Sequence, residues 1–166
     1  MFCCDRPEPR RIVVVVDDGE SARMALGWAM LNVIRSRDII TLLHVHPSSA
    51  AGSEGSRRYR RLKGFQLALS FKDLCDMNPH VKVEIVVAEG DEGPTIVSYT
   101  KKLGASALIM GHHKHPVFRR CLGKKDTLDY CIKNSNCLVL AVKQHRKVGF
   151  NAQGKTVSEV RILKYF

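Results

Sequence analysis

Two sets of side chains in this sequence could do chemistry. The first is cationic. Lys114, Arg119, Arg120, Lys124 and Lys125 put five positive charges within twelve residues, just ahead of a segment that reads as a helix opening at Thr127. Cations at a helix N-terminus suit a phosphate, which takes both the charges and the free backbone N–H groups. The Thr127 hydroxyl could add a further donor, whereas Asp126 would oppose an anion. The second set is imidazole. Five of the seven histidines fall in two clusters, His44 with His46 and His112 with His113 and His115. Imidazole suits zinc, nickel or copper, and His46, His113 and Asp17 could converge on one. No helical His-x3-His or Cys/His ligand spacing accompanies them, so no metal is expected. The bland role of His112 and His115 is to add to phosphate attraction when protonated. No nucleophile elbow and no carboxylate pair with an evident role occurs, so no catalytic residue is assigned and the reading leans away from an enzyme.

The elements that must position these groups alternate. Ile12 to Val16 is a continuous β-branched run, as in a strand buried on both faces. Asp17, Asp18 and Gly19 then turn the chain into an amphipathic helix carrying Met24, Leu26, Trp28, Leu31 and Ile34. A second strand covers residues 39–46 and stops at Pro47. A Ser/Gly/Ala-rich loop leads to a long helix over residues 57–77, with Leu62, Phe65, Leu69, Phe71 and Leu74 as its apolar face. Strands over residues 81–88 and 105–110 enclose a helix from Pro94 to Lys102, stopped by Gly104. A basic loop over residues 111–126, a short helix over 127–134 and a fifth strand over 137–143 follow. This β-α-β alternation predicts an α/β fold, a Rossmann-like, doubly wound, five-stranded parallel sheet with helices on both faces. Ligands of such sheets sit beyond the carboxyl ends of the strands. The residues there are Asp17 and Asp18, His46 and Pro47, Glu89 and Gly90, and Gly111 onward.

Composition narrows the class. Hydrophobic residues are 45% and charged residues 26% of the 166, enough apolar material for one core. The formal charge of +11 is uneven. Residues 1–110 carry 15 basic and 13 acidic side chains, and residues 111–166 carry 12 and 3. A body close to neutral with a basic last third does not resemble a uniformly basic histone-like chain. Few aromatics accompany the cations, so no specific nucleic-acid partner is expected. A second basic cluster, Arg57, Arg58, Arg60, Arg61 and Lys63, opens the long helix, where cations work against the helix dipole. That placement raises the prospect of an acidic protein partner. No apolar run approaches the ~18–20 residues that span a bilayer, and no secretory leader is read at the N-terminus. The six cysteines, Cys3, Cys4, Cys75, Cys121, Cys131 and Cys137, form no C-x-x-C pair and read as reduced thiols. The cytoplasm is the expected location, with the nucleus as an alternative. Lipid attachment through Cys3 and Cys4 is disfavoured, since position 2 is not a myristoylation glycine.

Four segments in order resemble the universal stress protein family, within the adenine-nucleotide alpha-hydrolase-like superfamily. Ile12-Val13-Val14-Val15-Val16-Asp17-Asp18-Gly19-Glu20-Ser21 is similar to the family's first strand and its Val-Asp-Gly-Ser-Glu turn. Leu42-Leu43-His44-Val45-His46-Pro47 resembles its Leu-His-Val strand. Ala107-Leu108-Ile109-Met110-Gly111-His112-His113 resembles Leu-Ile-Val-Met-Gly-Ser-His. Asp129 to Ile132 followed by Cys137 to Val142 resembles the last helix and the Cys-Pro-Val-Leu-Val-Val strand. The likeness covers about residues 10–145, and the tail beyond it has the style of plant members.

This resemblance implies an adenine-nucleotide site. Asp17, with Asp18 beside it, would lie next to the adenosine, Val45 would present backbone to adenine, and Met110 with Gly111 would begin the phosphate loop. His113 belongs to the family background. Nucleotide-binding members carry Gly-x2-Gly-x9-Gly-[Ser/Thr] there, because glycine lets N–H groups close around phosphates. Here Gly111 supplies the first glycine, Lys114 replaces the second, and Gly123 sits a residue or two early, with Lys124 and Lys125 at the final pair. ATP or AMP is therefore the candidate ligand, held through lysines, and the loop is degenerate. The alternatives are a nucleotide-free scaffold binding acidic partners through basic surfaces, or a slow ATP hydrolase. The expected organisation is a flexible N-terminus over residues 1–10, a universal stress domain over 11–145, and a basic tail or edge strand over 146–166, with a further strand possible at 157–163. A homodimer is expected through the last core strand, from Cys137 to Lys143, taken as an apolar sheet edge.

Overall fold

The computed structural model describes residues 8–48, 52–112, 126–150 and 156–165. Strands β1 (Arg11–Val15), β2 (Ile39–His46), β3 (Lys82–Glu89), β4 (Ala107–Gly111), β5 (Leu138–Phe150) and β6 (Thr156–Tyr165) form one sheet in the order β3-β2-β1-β4-β5-β6. The first five are parallel, as alternation with helices requires, and the order reverses between β1 and β4. The helices are α1 (Glu20–Asn32), α2 (Glu54–Leu69), α3 (Lys72–Cys75), α4 (Glu92–Lys102) and α5 (Thr127–Asn134).

The continuous apolar run in β1 works because both sheet faces are covered. Ile12 and Val14 point into one core with Ala25, Leu26 and Phe71. Val13 and Val15 point into the other with Ile96, Val97 and Cys131. Helices α1, α2 and α3 therefore cover one face, and α4 and α5 the other. Gly104, at φ +60°, ends α4. Its N–H reaches Lys101 O and the Ala105 N–H reaches Thr100 O, closing the helix on a left-handed residue that glycine adopts without penalty. At the amino edge of the sheet, Arg10 holds the buried Asp38 carboxylate at 2.5 Å. Arg11 and Lys82 both pair with Glu84, tying β1 to β3 across β2. The Lys82 and Arg11 hydrogen bonds hold the Glu84 carboxyl below its usual range.

Three expectations change. The long helix breaks at Ser70 into α2 and α3, and its apolar face is not the one expected. Leu62, Phe65 and Leu69 are 55%, 45% and 44% exposed, whereas Gly64, Ala68 and Phe71 are buried. A Cβ on Gly64 would lie 2.6 Å from His44 Cδ2 and 2.9 Å from Val87 Cγ1. The helix lies on β2 and β3 through its small residues together with Leu67, and Leu62, Phe65 and Leu69 are turned outward. Leu31 is likewise exposed on α1. The third change concerns β5, which is not a sheet edge. β6 pairs with it antiparallel from Val139 opposite Tyr165 to Arg146 opposite Ser158. The strand from Cys137 to Lys143 thus has neighbours on both sides, and the expected edge for self-pairing is occupied. Residues 1–7 of the expected N-terminal segment lie outside the described residues.

Candidate functional site

Strands β1 and β4 end side by side at the switch point. Beyond β1 the chain turns through Asp17, whose Oδ1 accepts the Gly19 N–H at 2.7 Å. That hydrogen bond fixes the turn into α1 and leaves Asp17 half-buried at the mouth between β1 and β4. β4 ends at Gly111, packed against the start of α1. A Cβ there would meet Ser21 C at 2.6 Å and Ala22 N at 2.7 Å. Absence of a side chain at Gly111 is therefore first a packing requirement between β4 and α1. The next residue, His112, donates its N–H to Val142 O at 2.8 Å, extending the sheet by one bond.

The opposite wall comes from α4 and α5. Gly93 in the first turn of α4 lets the Tyr130 ring lie where a Cβ would be only 3.0 Å from it. This contact brings Glu92 to α5, and the Thr127 hydroxyl donates to Glu92 Oε2 at 2.9 Å. Asp126 is the N-cap of α5, its Oδ1 accepting the Leu128 N–H at 3.0 Å. The cleft between the walls is lined by Val15, Asp17, Glu92, Met110, Gly111 and His112, with Asp126 and Thr127 at its rim. Its volume is about 60 Å³, below the ~300 Å³ at which ligand pockets usually begin. Three carboxylates, Asp17, Glu92 and Asp126, face it.

The structure brings together Asp17, Met110, Gly111 and Thr127 of the residues expected at the site. Asp18 is exposed beside the cleft and does not line it. Val45 packs against the core on the α4 face, its backbone in register with Ala88. His113, Lys114, Arg119, Arg120, Gly123, Lys124 and Lys125 lie outside the described residues. Glu92 was missed from sequence. An acidic residue in the first turn of a helix is ordinary dipole complementation, so nothing in its spacing marked it.

A second cleft opens at the carboxyl ends of β2 and β3, with a volume of about 330 Å³. His46, Glu89 and Tyr99 line it from the sheet side and Arg57, Arg58 and Arg61 from α2. His46 and Asp17 thus line different clefts, and His113, the third member of the conceivable metal set, lies outside the described residues. Among the described residues no group of three or more His, Cys, Asp or Glu side chains could hold a metal ion. His44 is engaged elsewhere, its Nδ1 2.9 Å from Val16 O. Burial pushes the Cys75 thiol up to about 11 and the Cys131 thiol up to about 12, which leaves both unreactive.

A sequence profile of the Universal stress protein family matches residues 8–143. The chain belongs to the universal stress protein family. Among curated proteins, this family member is 28% identical over 163 residues to Universal stress protein PHOS34 of Arabidopsis thaliana, covering 81% of this chain and 62% of that one. It is 26% identical to Universal stress protein PHOS32 of the same plant, with 81% and 64% covered. The chain therefore spans somewhat less than two thirds of the length of these relatives, both of them plant proteins, in keeping with the plant-like style of its sequence. Among solved structures, an AMP-bound universal stress protein family protein from Arabidopsis thaliana superposes with a TM-score of 0.58 at 24% identity, covering 81% of this chain and 92% of that one. A universal stress protein in complex with cAMP gives 0.64 at 16% identity, covering 82% and 98%. These likenesses establish the α/β fold of the five parallel strands. No helix among the described residues is long and apolar enough to cross a membrane.

Proposed function

We propose that this universal stress protein is a stress-response regulatory module, binding rather than catalytic. In this reading it takes an adenine nucleotide at the carboxyl ends of β1 and β4, and AMP in preference to ATP. The observation that carries the reading is the state of the phosphate end of the cleft. The Leu128 N–H at the start of α5 is already capped by Asp126, and the Thr127 hydroxyl is already bound to Glu92. Two donors suited to a phosphate are thus engaged by carboxylates of the chain itself. Asp17, Met110 and Gly111 line the same cleft and are the candidates for its nucleoside end. A short phosphate tail suits such a site better than a long one. Lys114, Lys124 and Lys125 are the candidates for supplying the charge that lost glycines no longer organise. The AMP and cAMP complexes of the two structural relatives support an adenine nucleotide as the ligand class.

Mass spectrometry of ligand carried through native purification, followed by calorimetry with AMP and ATP, tests this. AMP should bind more tightly than ATP, and Lys114→Ala with Lys124→Ala should weaken both. Absence of heat and of thermal shift at millimolar AMP would sink the reading. That result would favour a nucleotide-free scaffold, for which the three carboxylates around the small cleft are the supporting observation. Its acidic partner would meet the basic surfaces, and its self-association would have to form without the edge that β6 covers. Release of phosphate from ATP, lost in Asp17→Ala, would instead show a slow hydrolase.

A further inference from the structure

The cleft between α2 and the ends of β2 and β3 lies outside the nucleotide reading, and its lining is unusual. His46 is 94% buried, at 6% exposure, and neither of its ring nitrogens has a hydrogen-bond partner. A neutral imidazole carries one donor and one acceptor whichever tautomer it adopts. Burying both unpaired is costly, and such a group calls for an explanation in ligand, ion or water. Beside it, on α2, stand three guanidinium groups, Arg57 and Arg58 on one turn and Arg61 on the next. Arg57 Nε meets Glu89 Oε2 at 3.3 Å, and Arg58 Nε meets Glu54 Oε1 at 3.3 Å. Those carboxylates anchor the two arginines through Nε, and Arg58 keeps both terminal nitrogens for another acceptor. Arg61 has no hydrogen bond or ion pair among the described residues. The lining charge is three guanidiniums against two carboxylates, a surplus of one cation.

Arg57 and Arg58 pair with Glu54 along α2, contacts worth only about 0.2–0.5 kcal/mol each, and Arg61 has no such partner among the described residues, so helix stability does not explain Arg61. Packing does not explain the three arginines either. Arg58 is 80% exposed and Arg57 52% exposed, and the buried face of α2 is made by Gly64 and Ala68. What they have in common is the cleft. Its volume of about 330 Å³ is at the small end for a ligand site, and Tyr99 adds an aromatic wall.

We propose that this cleft binds the phosphoryl group of a small phosphate monoester, with Arg58 and Arg61 forking its oxygens, Arg57 closing one side and His46 donating from the floor. Guanidinium pairs match phosphate oxygens in a way that a single lysine does not. The remainder of the ester lies toward Tyr99. The site is separate from the Asp17 cleft and does not depend on nucleotide binding there.

The test titrates inorganic phosphate and phenyl phosphate, separately and at constant ionic strength, onto the full chain. Calorimetry gives the affinity, and NMR of the His46 imidazole gives the location. Saturable binding that shifts the His46 resonances supports the site. Tighter binding of phenyl phosphate identifies an ester as the ligand, and equal binding identifies free phosphate. Arg61→Gln should weaken binding about tenfold, the loss of one charge-assisted hydrogen bond, with the melting temperature reporting that the fold persists. Asp17→Ala, in the other cleft, should leave this binding in place. Three results would overturn the proposal: no saturation by either probe, saturation without movement of His46, or binding lost in Asp17→Ala and kept in Arg61→Gln.

Discussion

Asp126 Oδ1 accepts the backbone N–H of Leu128 at 3.0 Å, so the helix that would point its positive end at a phosphate is already capped by a carboxylate of its own. The neighbouring Thr127 hydroxyl is taken by Glu92 at 2.9 Å. Capping is worth about 1 kcal/mol of stability, and the negative charge repels an anion at the same place. The two effects separate by substitution. Asp126→Asn keeps a side-chain oxygen for the Leu128 N–H and removes the charge. Its stability in urea should change little, while its affinity for AMP should rise several-fold. Asp126→Ala removes both and should lose about 1 kcal/mol. Denaturation midpoints and AMP calorimetry on the two variants check this. Unchanged AMP affinity in Asp126→Asn would place the phosphate away from α5.

Glycines in this chain differ in what surrounds them, and the difference predicts opposite signs. At Gly111 a Cβ meets backbone atoms of Ser21 and Ala22 at 2.6 to 2.7 Å. Backbone cannot swing aside, so Gly111→Ala should cost about 3 kcal/mol, at the upper end of ordinary overpacking. At Gly27, inside α1, a Cβ meets nothing within 4 Å. Gly27→Ala should stabilise by about 0.5–1 kcal/mol through the lower entropy of the unfolded chain and better helix propensity. Chemical denaturation of both variants measures the two changes. A neutral Gly111→Ala would mean that β4 and α1 are less closely apposed than their backbones indicate.

The same contrast marks how far the fold could be read from the sequence. The β1 run from Ile12 to Val16 announced a strand buried on both faces, and residues 39–46 and 127–134 matched their elements, because apolar periodicity and caps are local signals. Helix α2 was misjudged at Leu62, Phe65 and Leu69, since hydrophobicity scores large side chains as core and cannot register that Gly64 and Ala68 permit closer approach to the sheet. The site was legible by position: Asp17, Met110 and Gly111 follow from where strands end. Its chemistry was less so. That Glu92 reaches Thr127 depends on the Gly93–Tyr130 contact between helices 35 residues apart in sequence, and no short motif encodes that.

Burial of the thiols sets a pH dependence. Desolvation, with the charge of Asp76 second, pushes Cys75 up to about 11 from 9.0. Desolvation, with Glu92 second, pushes Cys131 up to about 12 from the same value. Below pH 9 both states hold these protons, so the thiols contribute no pH dependence. Above pH 9 the unfolded chain releases them while the folded chain retains them, and stability falls toward pH 11 to 12. Urea midpoints at pH 8 and pH 10 should show the decline, and Cys131→Val should flatten part of it. Thiol reagents at pH 8 should modify Cys75 and Cys131 only at the rate of unfolding, as peptide mapping would read. Rapid modification of either in the native protein would show that its burial is transiently lost.

β6 decides whether the sheet can extend into a second molecule. It occupies the outer side of β5 through pairs from Val139 with Tyr165 to Arg146 with Ser158. On β5 itself Val139, Leu140, Ala141 and Val142 are almost fully buried in the two cores, and a strand of that character with its edge uncovered is a template for self-pairing. Deleting residues 151–166 should therefore free that edge and give a chain that dimerises or aggregates through β5. Sedimentation velocity across a concentration series measures the change. Amide exchange along β5 should rise in monomers of the shortened chain and fall again on association. If the full chain already dimerises with β5 amides protected and β6 amides exchanging freely, then β6 yields its place to the partner strand. If instead the shortened chain stays monomeric at high concentration, the edge is kept apart by something other than β6, and covering by that strand is not what limits assembly.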